Sequence, residues 1–239
     1  MKSSEWQVWI IDVEGSRDIP ARARRKVDRA LQQAMRATRE HFAKRFRLSP
    51  QVLRGDEIQA VLRADAPALT MLTYLRARFA SLVGRTPALR CGVGTGTIAR
   101  LSTRGPFESE GEAFHRARQA VEWVKLRRGG RLTAWRADRE DFDRAAEVIL
   151  PLADTVVRRW TQAQWQAIAG RIEGKDLHRI ARDSRVSFQA VSLRLRAAAW
   201  PEVQGAMEHL QSLAHAALAR GSVGSQARRL ESRRSSARG

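Results

Sequence analysis

The sequence predicts an α+β protein: a split βαβ sheet of ferredoxin-like order followed by an all-α helix-turn-helix domain. Two observations carry this. Up to about residue 150, short β-branched and aromatic runs alternate with stretches of helical spacing in the order β-α-β-β-α-β-α-β, which predicts a sheet with its helices on one face. From Thr161 onward the strand signals stop and everything to about Ala219 is helical by composition. The expected divisions are 1–155 for the sheet domain, 156–220 for the helical domain and its final helix, and 221–239 for a tail of Gly, Ser and Arg expected to be disordered.

The elements follow in order. "WQVWIIDV" is apolar and β-branched and breaks at Gly15, as a buried strand ending in a turn does. From Pro20 to Phe46, Val27, Leu31, Ala34, Met35, Thr38 and Phe42 fall on one helical face with arginines opposite. "FRLSPQVL" and "IQAVLRA" flank Gly55-Asp56, residues that suit a tight hairpin. After Pro67 a helix runs to Gly84, and "ALRCGVGTGTIA" is a strand studded with glycines. Helices are expected over Glu110 to Leu126 and Asp138 to Trp160, the latter broken near Pro151, with "GGRLTAW" as a strand between them.

Composition narrows the function classes. The chain has 239 residues, is 43% hydrophobic and carries a formal net charge of +19, so it buries a real core and favours a polyanionic partner. A solvated arginine-rich surface is the bland alternative. The single cysteine, Cys91, excludes a disulfide framework and a cysteine-based zinc site, and fits a reducing cytoplasm. No run of eighteen apolar residues exists, so no membrane span or secretory leader is expected.

In the C-terminal part Thr161 suits the N-cap of one helix bearing Trp165, Ile168 and Ile172, which ends at Gly174. A second helix from Asp176 carries Leu177, Ile180 and Ala181. A turn at Arg185-Val186 then leads to Ser187, the cap of a third helix with Val191, Leu193 and Leu195. In this layout the third helix enters the major groove of double-stranded DNA with Ser187, Phe188, Gln189, Ser192, Arg194 and Arg196. Gln189 can pair with adenine and Arg194 with guanine or phosphate, while Lys175, Arg179, Arg182, Arg185, Arg158 and Arg159 are candidate backbone contacts. A three-helix bundle that binds protein is the other reading. Past Pro201, Val203, Met207, Leu210, Ala214 and Ala217 recur at four- and three-residue steps, which suits either a dimerising two-helix seam or a helix folded onto its own domain.

Asp12 ends the first strand and Asp56 sits at the hairpin of the second and third. Because the first strand lies beside the third in a split βαβ sheet, the two carboxylates can meet at one Mg²⁺, with the backbone amides of Glu14, Gly15 and Ser16 available to phosphate oxygens.

Four motifs, "DVEGS", "RGDEIQAV", "LRCGVGTG" and "GEAFHRARQA", resemble in order and spacing the class III nucleotide cyclase motifs "DIVGST", "GDGFMAV", "RIGIHTG" and "GxAVNxAARL". The overall resemblance, over roughly residues 5 to 150, is to the SatD family, and "EGKDLHRIARDSRVSFQAVSLRL" resembles the helix-turn-helix of sigma-factor region four. The cyclase resemblance implies metal binding by Asp12 and Asp56. It departs at the transition-state end, where His115 and Gln119 replace an asparagine and an arginine and Arg116 and Arg118 lie on other helix faces; at the base-selecting positions stand Val52 and, nearby, Glu108. The expectation is therefore a cytoplasmic, homodimeric DNA-binding transcriptional regulator whose cyclase-like domain senses a nucleotide or phosphate ligand through a divalent cation. An active nucleotidyl cyclase or phosphoryl transferase regulated by DNA, and a constitutive DNA-binding protein with a degenerate cyclase-like dimerisation domain, are the alternatives.

Overall fold

The structure is a computed structural model that describes residues 5–52, 56–84, 87–127 and 130–216. The tip of the expected hairpin, including Gly55, and the expected basic tail lie outside the described residues. The elements are β1 (Glu5–Val13), α1 (Ala21–His41), β2 (Phe46–Val52), β3 (Ile58–Leu62), α2 (Ala68–Val83), β4 (Leu89–Thr97), α3 (Glu112–Leu126), β5 (Thr133–Arg136), α4 (Glu140–Val157), α5 (Gln162–Ile172), α6 (Leu177–Ser184) and α7 (Phe188–Ala197). A last helix, α8, spans residues 200–216. No helix among the described residues is long and apolar enough to cross a membrane.

The sheet order is β2-β3-β1-β4-β5, with β1 antiparallel to β3 and β4, and β5 parallel to β4. β1 lies at the centre and is buried on both faces. Trp9, Ile11 and Val13 join the core under α1 and α2, whereas Val8 and Ile10 pack with Ala113, Ala117 and Val121 of α3. The helices therefore cover both faces of the sheet, contrary to the one-faced arrangement the element order predicts. The continuous apolar run of "WQVWIIDV" is what a doubly covered strand requires.

The glycines of β4 have a packing reason. A Cβ on Gly92 would sit 2.2 Å from the Ala117 carbonyl oxygen, and one on Gly94 would sit 2.1 Å from that of Ala113. The α3 backbone thus rests directly on β4, with alanines on its inner face. Cys91, on the opposite face of β4, is fully buried, and burial pushes its thiol up to about 12.

Pro151 does not break α4, which continues to Val157. Phe142, Ala146, Leu150, Ala153 and Val157 are all buried, so the packed face on both sides of the proline holds the helix through its missing hydrogen bond. Asp154, next on that face, accepts from the amides of Leu132 and Thr133, both at 2.8 Å, and from the Thr133 hydroxyl at 3.0 Å. Arg76 of α2 donates to that same hydroxyl and to the carbonyls of Leu89 and Leu132. Burial pushes the Asp154 carboxyl up, opposed by Arg76 and by these donors.

The core passes without interruption from the sheet into the C-terminal helices. α2 is buried nearly all round because the sheet lies on one side of it and α5 and α8 on the other, which is why its sequence lacks a polar face. Thr73 of α2 donates to Met207 Sδ, Gln211 of α8 accepts from the Leu69 amide, and the Tyr74 hydroxyl donates to Glu173 at 2.8 Å. Val203, Met207, Leu210 and Ala214 are buried in this core. The seam assigned to a dimerisation helix is thus closed within the chain, since a four-three spacing serves an intramolecular partner as well as a second copy.

Candidate functional site

Asp12 is the penultimate residue of β1 and lies opposite Arg90 of β4. Asp56 and Glu57 lead into β3, which pairs with the other edge of β1. β1 and β3 are neighbours, and the charge of Asp56 acts on Asp12. Burial pushes the Asp12 carboxyl above its ordinary range; Lys125 opposes this and Asp56 adds to it. The Oδ2 atom of Asp56 is buried and has no hydrogen-bond partner among the described residues. An orphaned carboxylate oxygen beside a second carboxylate suits a cation, and two acidic ligands are what Mg²⁺ takes when water and phosphate complete its shell. Among the described residues no group of three or more His, Cys, Asp or Glu is placed to hold a metal.

A cationic wall from α3 closes the site. The Lys125 ammonium is 3.2 Å from Asp12 Oδ1 and 3.3 Å from Glu122. One turn and more back, Arg118 donates through both terminal nitrogens to the two oxygens of Glu57. Sequence reasoning missed Lys125 and Glu57; the signal was the spacing Arg118, Glu122, Lys125, which puts the three on one face of α3. Arg118 hydrogen bonds hold the Glu57 carboxyl below its ordinary 4.5, against the opposing effect of burial. The stability from this pair is complete above that pH and is lost as pH falls through the lowered folded value. Glu57→Gln should therefore flatten the acid limb of a stability-against-pH curve, read by urea denaturation between pH 6 and about pH 3.

The three amides expected to cradle a phosphate are not equivalent. That of Glu14 donates to the Ala88 carbonyl at 2.8 Å and is spent, a correction to the expected cradle. Among the described residues those of Gly15 and Ser16 carry no backbone bond; Gly15 adopts φ 64° and Ser16 begins a short 3₁₀ turn. The Glu14 side chain accepts from Arg90 at 2.5 Å and from Arg158 at 2.8 Å. Burial raises this carboxyl, but the two guanidiniums outweigh it and leave it below its usual range. Arg158, expected on the DNA face, is instead fixed to the sheet.

The transition-state positions differ from the metal end. His115 and Gln119 are exposed on α3 and bond to each other at 2.8 Å. Arg116 donates to the Thr95 carbonyl at 2.7 Å and to Asp138 at 3.0 Å. Thr95 is five residues along β4 from Arg90, about 17 Å from the Asp12 level. With Arg118 committed to Glu57, neither arginine is free beside the carboxylates.

In the C-terminal helices the local signals are realised. Thr161 and Gln164 form a reciprocal capping box, and Asp176 and Ser187 accept from the amides of Arg179 and Ala190. Arg185 ends α6 in the left-handed conformation at φ 52°, and the Val186 amide returns to the Ala181 carbonyl, so three residues turn the chain from α6 into α7. The close packing of α5 on α6 comes from Gly170, where a Cβ would sit 2.7 Å from Ile180. Ser187, Phe188, Gln189 and Arg196 are exposed, while Ser192 and Arg194 are half-buried. Phe188 stacks on His178 with ring centroids 4.6 Å apart. Leu193, expected in the core, is 60% exposed and joins this face. Arg182 and Arg185 are exposed; Lys175 is held by Asp183 at 2.8 Å and Glu173 at 2.9 Å, and Arg179 lies 3.4 Å from Asp183.

The model of the SatD family matches residues 8–199. The chain belongs to the SatD family. In this SatD-family chain the match runs from β1 through α7, beyond the 5–150 span that the sequence motifs cover, and takes in the three-helix unit with the sheet. No curated protein matches the chain. Solved structures similar to it include a bacterial light-regulated adenylyl cyclase, at 12% identity and TM-score 0.41, covering 55% of this chain and 42% of that one. The active GGEEF domain of a diguanylate cyclase from Vibrio cholerae is 18% identical with TM-score 0.40, covering 57% and 84%. The guanylyl cyclase Cya2 is 12% identical with TM-score 0.36, covering 52% and 73%. The chain spans less than half the length of the light-regulated cyclase.

Proposed function

We propose that this SatD-family protein is a sequence-specific DNA-binding regulator whose α6-turn-α7 unit reads a duplex. The observation that carries this reading is the α7 face: Ser187, Gln189 and Arg196 stand exposed at and beyond a capped helix N-terminus, flanked by exposed Arg182 and Arg185, in a chain of net charge +19. A helix presented in this way offers amide and guanidinium groups to base edges, and the flanking arginines offer charge to phosphates. Binding-site selection followed by fluorescence anisotropy tests it. Gln189→Ala should relax preference at one base pair by about 1–3 kcal/mol, whereas Arg182→Ala should weaken all sequences alike. Equal effects from the two would sink the assignment of the reading face.

The cyclase-like site supports a second activity in the same chain, binding of a nucleotide or phosphate ligand with Mg²⁺. The orphaned Asp56 oxygen beside Asp12 is the observation that favours it. Asp12 and Asp56 would hold the cation, which would neutralise phosphate charge, and the Gly15 and Ser16 amides would receive phosphate oxygens. Cyclisation also needs charge compensation at the moving phosphoryl group, and the arginines able to provide it are bonded elsewhere, so sensing is favoured over synthesis. Mg²⁺ with a nucleoside triphosphate at a hundredfold excess over Kd should stabilise the wild type by about 2.7 kcal/mol, seen as a rise in Tm. Asp56→Asn should abolish that rise. Pyrophosphate release that disappears in the same variant would instead establish an enzyme.

A further inference from the structure

A cavity of about 270 Å³ lies where the sheet meets the C-terminal helices. Phe79, Leu89, Trp160 and Trp165 give it an apolar and mainly aromatic wall, with Trp160 and Trp165 edge-to-face at 4.6 Å. Two guanidiniums also line it, those of Arg76 and Arg158, and among the described residues no carboxylate does. Neither cation belongs to the Asp12–Asp56 site or to the α7 face.

Among the described residues the two guanidiniums have donors to spare. Arg76 is 4% exposed and uses three N–H groups on Leu89, Leu132 and Thr133, out of the five a guanidinium carries. Arg158 donates to the Gly130 carbonyl through Nε and to Glu14 through Nη2, and its Nη1 has no bond among the described residues. A buried cation with unspent donors beside an aromatic wall selects a ligand with a flat apolar body and one anionic group. The volume, just under the roughly 300–1,000 Å³ of drug-sized pockets, restricts that body to one or two rings.

We infer that this cavity is a binding site for a small aromatic acid, its ring against Trp160 and Trp165 and its carboxylate on Arg158 and Arg76. The site is separate from the proposed nucleotide site and does not depend on it. Isothermal calorimetry on the full chain tests this with 1-naphthoate and its neutral counterpart 1-naphthalenemethanol as probes. The expected result is saturable binding of the acid at one site, at least about tenfold tighter than the alcohol, in keeping with a charge-assisted bond. Arg158→Gln should erase the difference between the two probes. Ala88→Phe, which places a ring in the cavity from its rim, should abolish binding of both while the circular dichroism spectrum and melt stay those of a folded protein. Equal affinity for acid and alcohol in the wild type overturns the anion site. Undiminished binding in folded Ala88→Phe, or no binding of either probe to the wild type, overturns the cavity as the location.

Discussion

Gly94→Ala should leave the chain unable to hold its native fold. The added Cβ would lie 2.1 Å from the Ala113 carbonyl oxygen and 2.3 Å from the Ala117 nitrogen, and both are backbone atoms of a helix that cannot yield by a rotamer change. Relief requires α3 to lift off β4, which uncovers Val8, Ile10 and Val61 on that face of the sheet. Overpacking of an ordinary core costs about 1–3 kcal/mol, and a contact this short against main chain exceeds that range, so a loss of about 4 kcal/mol or more is expected. That is a large share of the 5–15 kcal/mol by which domains are stable. Urea denaturation measures it. Gly205→Ala on the exposed side of α8 is the control: nothing lies within 4 Å of its new Cβ, and removing a helical glycine should add about 1 kcal/mol. If Gly94→Ala melts like the wild type, α3 does not rest on β4 as described.

Affinity for DNA should collapse with salt. Arg182, Arg185, Arg194 and Arg196 alone, if each neutralises one phosphate, give a slope of about −3.6 in log affinity against log salt. Between 50 and 200 mM salt this is a loss of roughly 150-fold, and the remaining positive charge of the chain steepens it. Lys175 and Arg179 should contribute less, because each already has an acidic neighbour to satisfy. Anisotropy titrations at four salt concentrations give the slope directly. A slope near zero would remove nucleic acid as the partner of this charge.

The parts of this structure that were legible in the sequence are those decided locally. The caps at Thr161, Asp176 and Ser187 depend on three or four consecutive residues, and the structure forms all of them. The adjacency of β1 and β3, the strands beside which Asp12 and Asp56 lie, was legible because the order of strands dictates which edges meet. What escaped reading depends on partners far apart in the chain. Glu57 and Arg118 are 61 residues apart, and nothing near either announces the other. Pro151 looked like a stop because the rule for proline is local, whereas the buried face that overrides it is built by the sheet. The seam of α8 has a spacing that is the same whether its partner is another chain or α2. Leu193 lies between Val191 and Leu195 and shares their composition but not their helix face.

The unbroken core between α2 and the C-terminal helices bears on how this molecule can move. A swing of the helices about the α4–α5 junction would have to part Thr73 from Met207, Leu69 from Gln211 and Tyr74 from Glu173, and expose the apolar face of α2 to water. The helices and the sheet share one core, so separating them costs the burial of that whole face. If the proposed ligand site on β1 and the proposed reading face of α7 are coupled, the Glu14–Arg158 ion pair is one contact that joins the end of β1 to the α4–α5 junction.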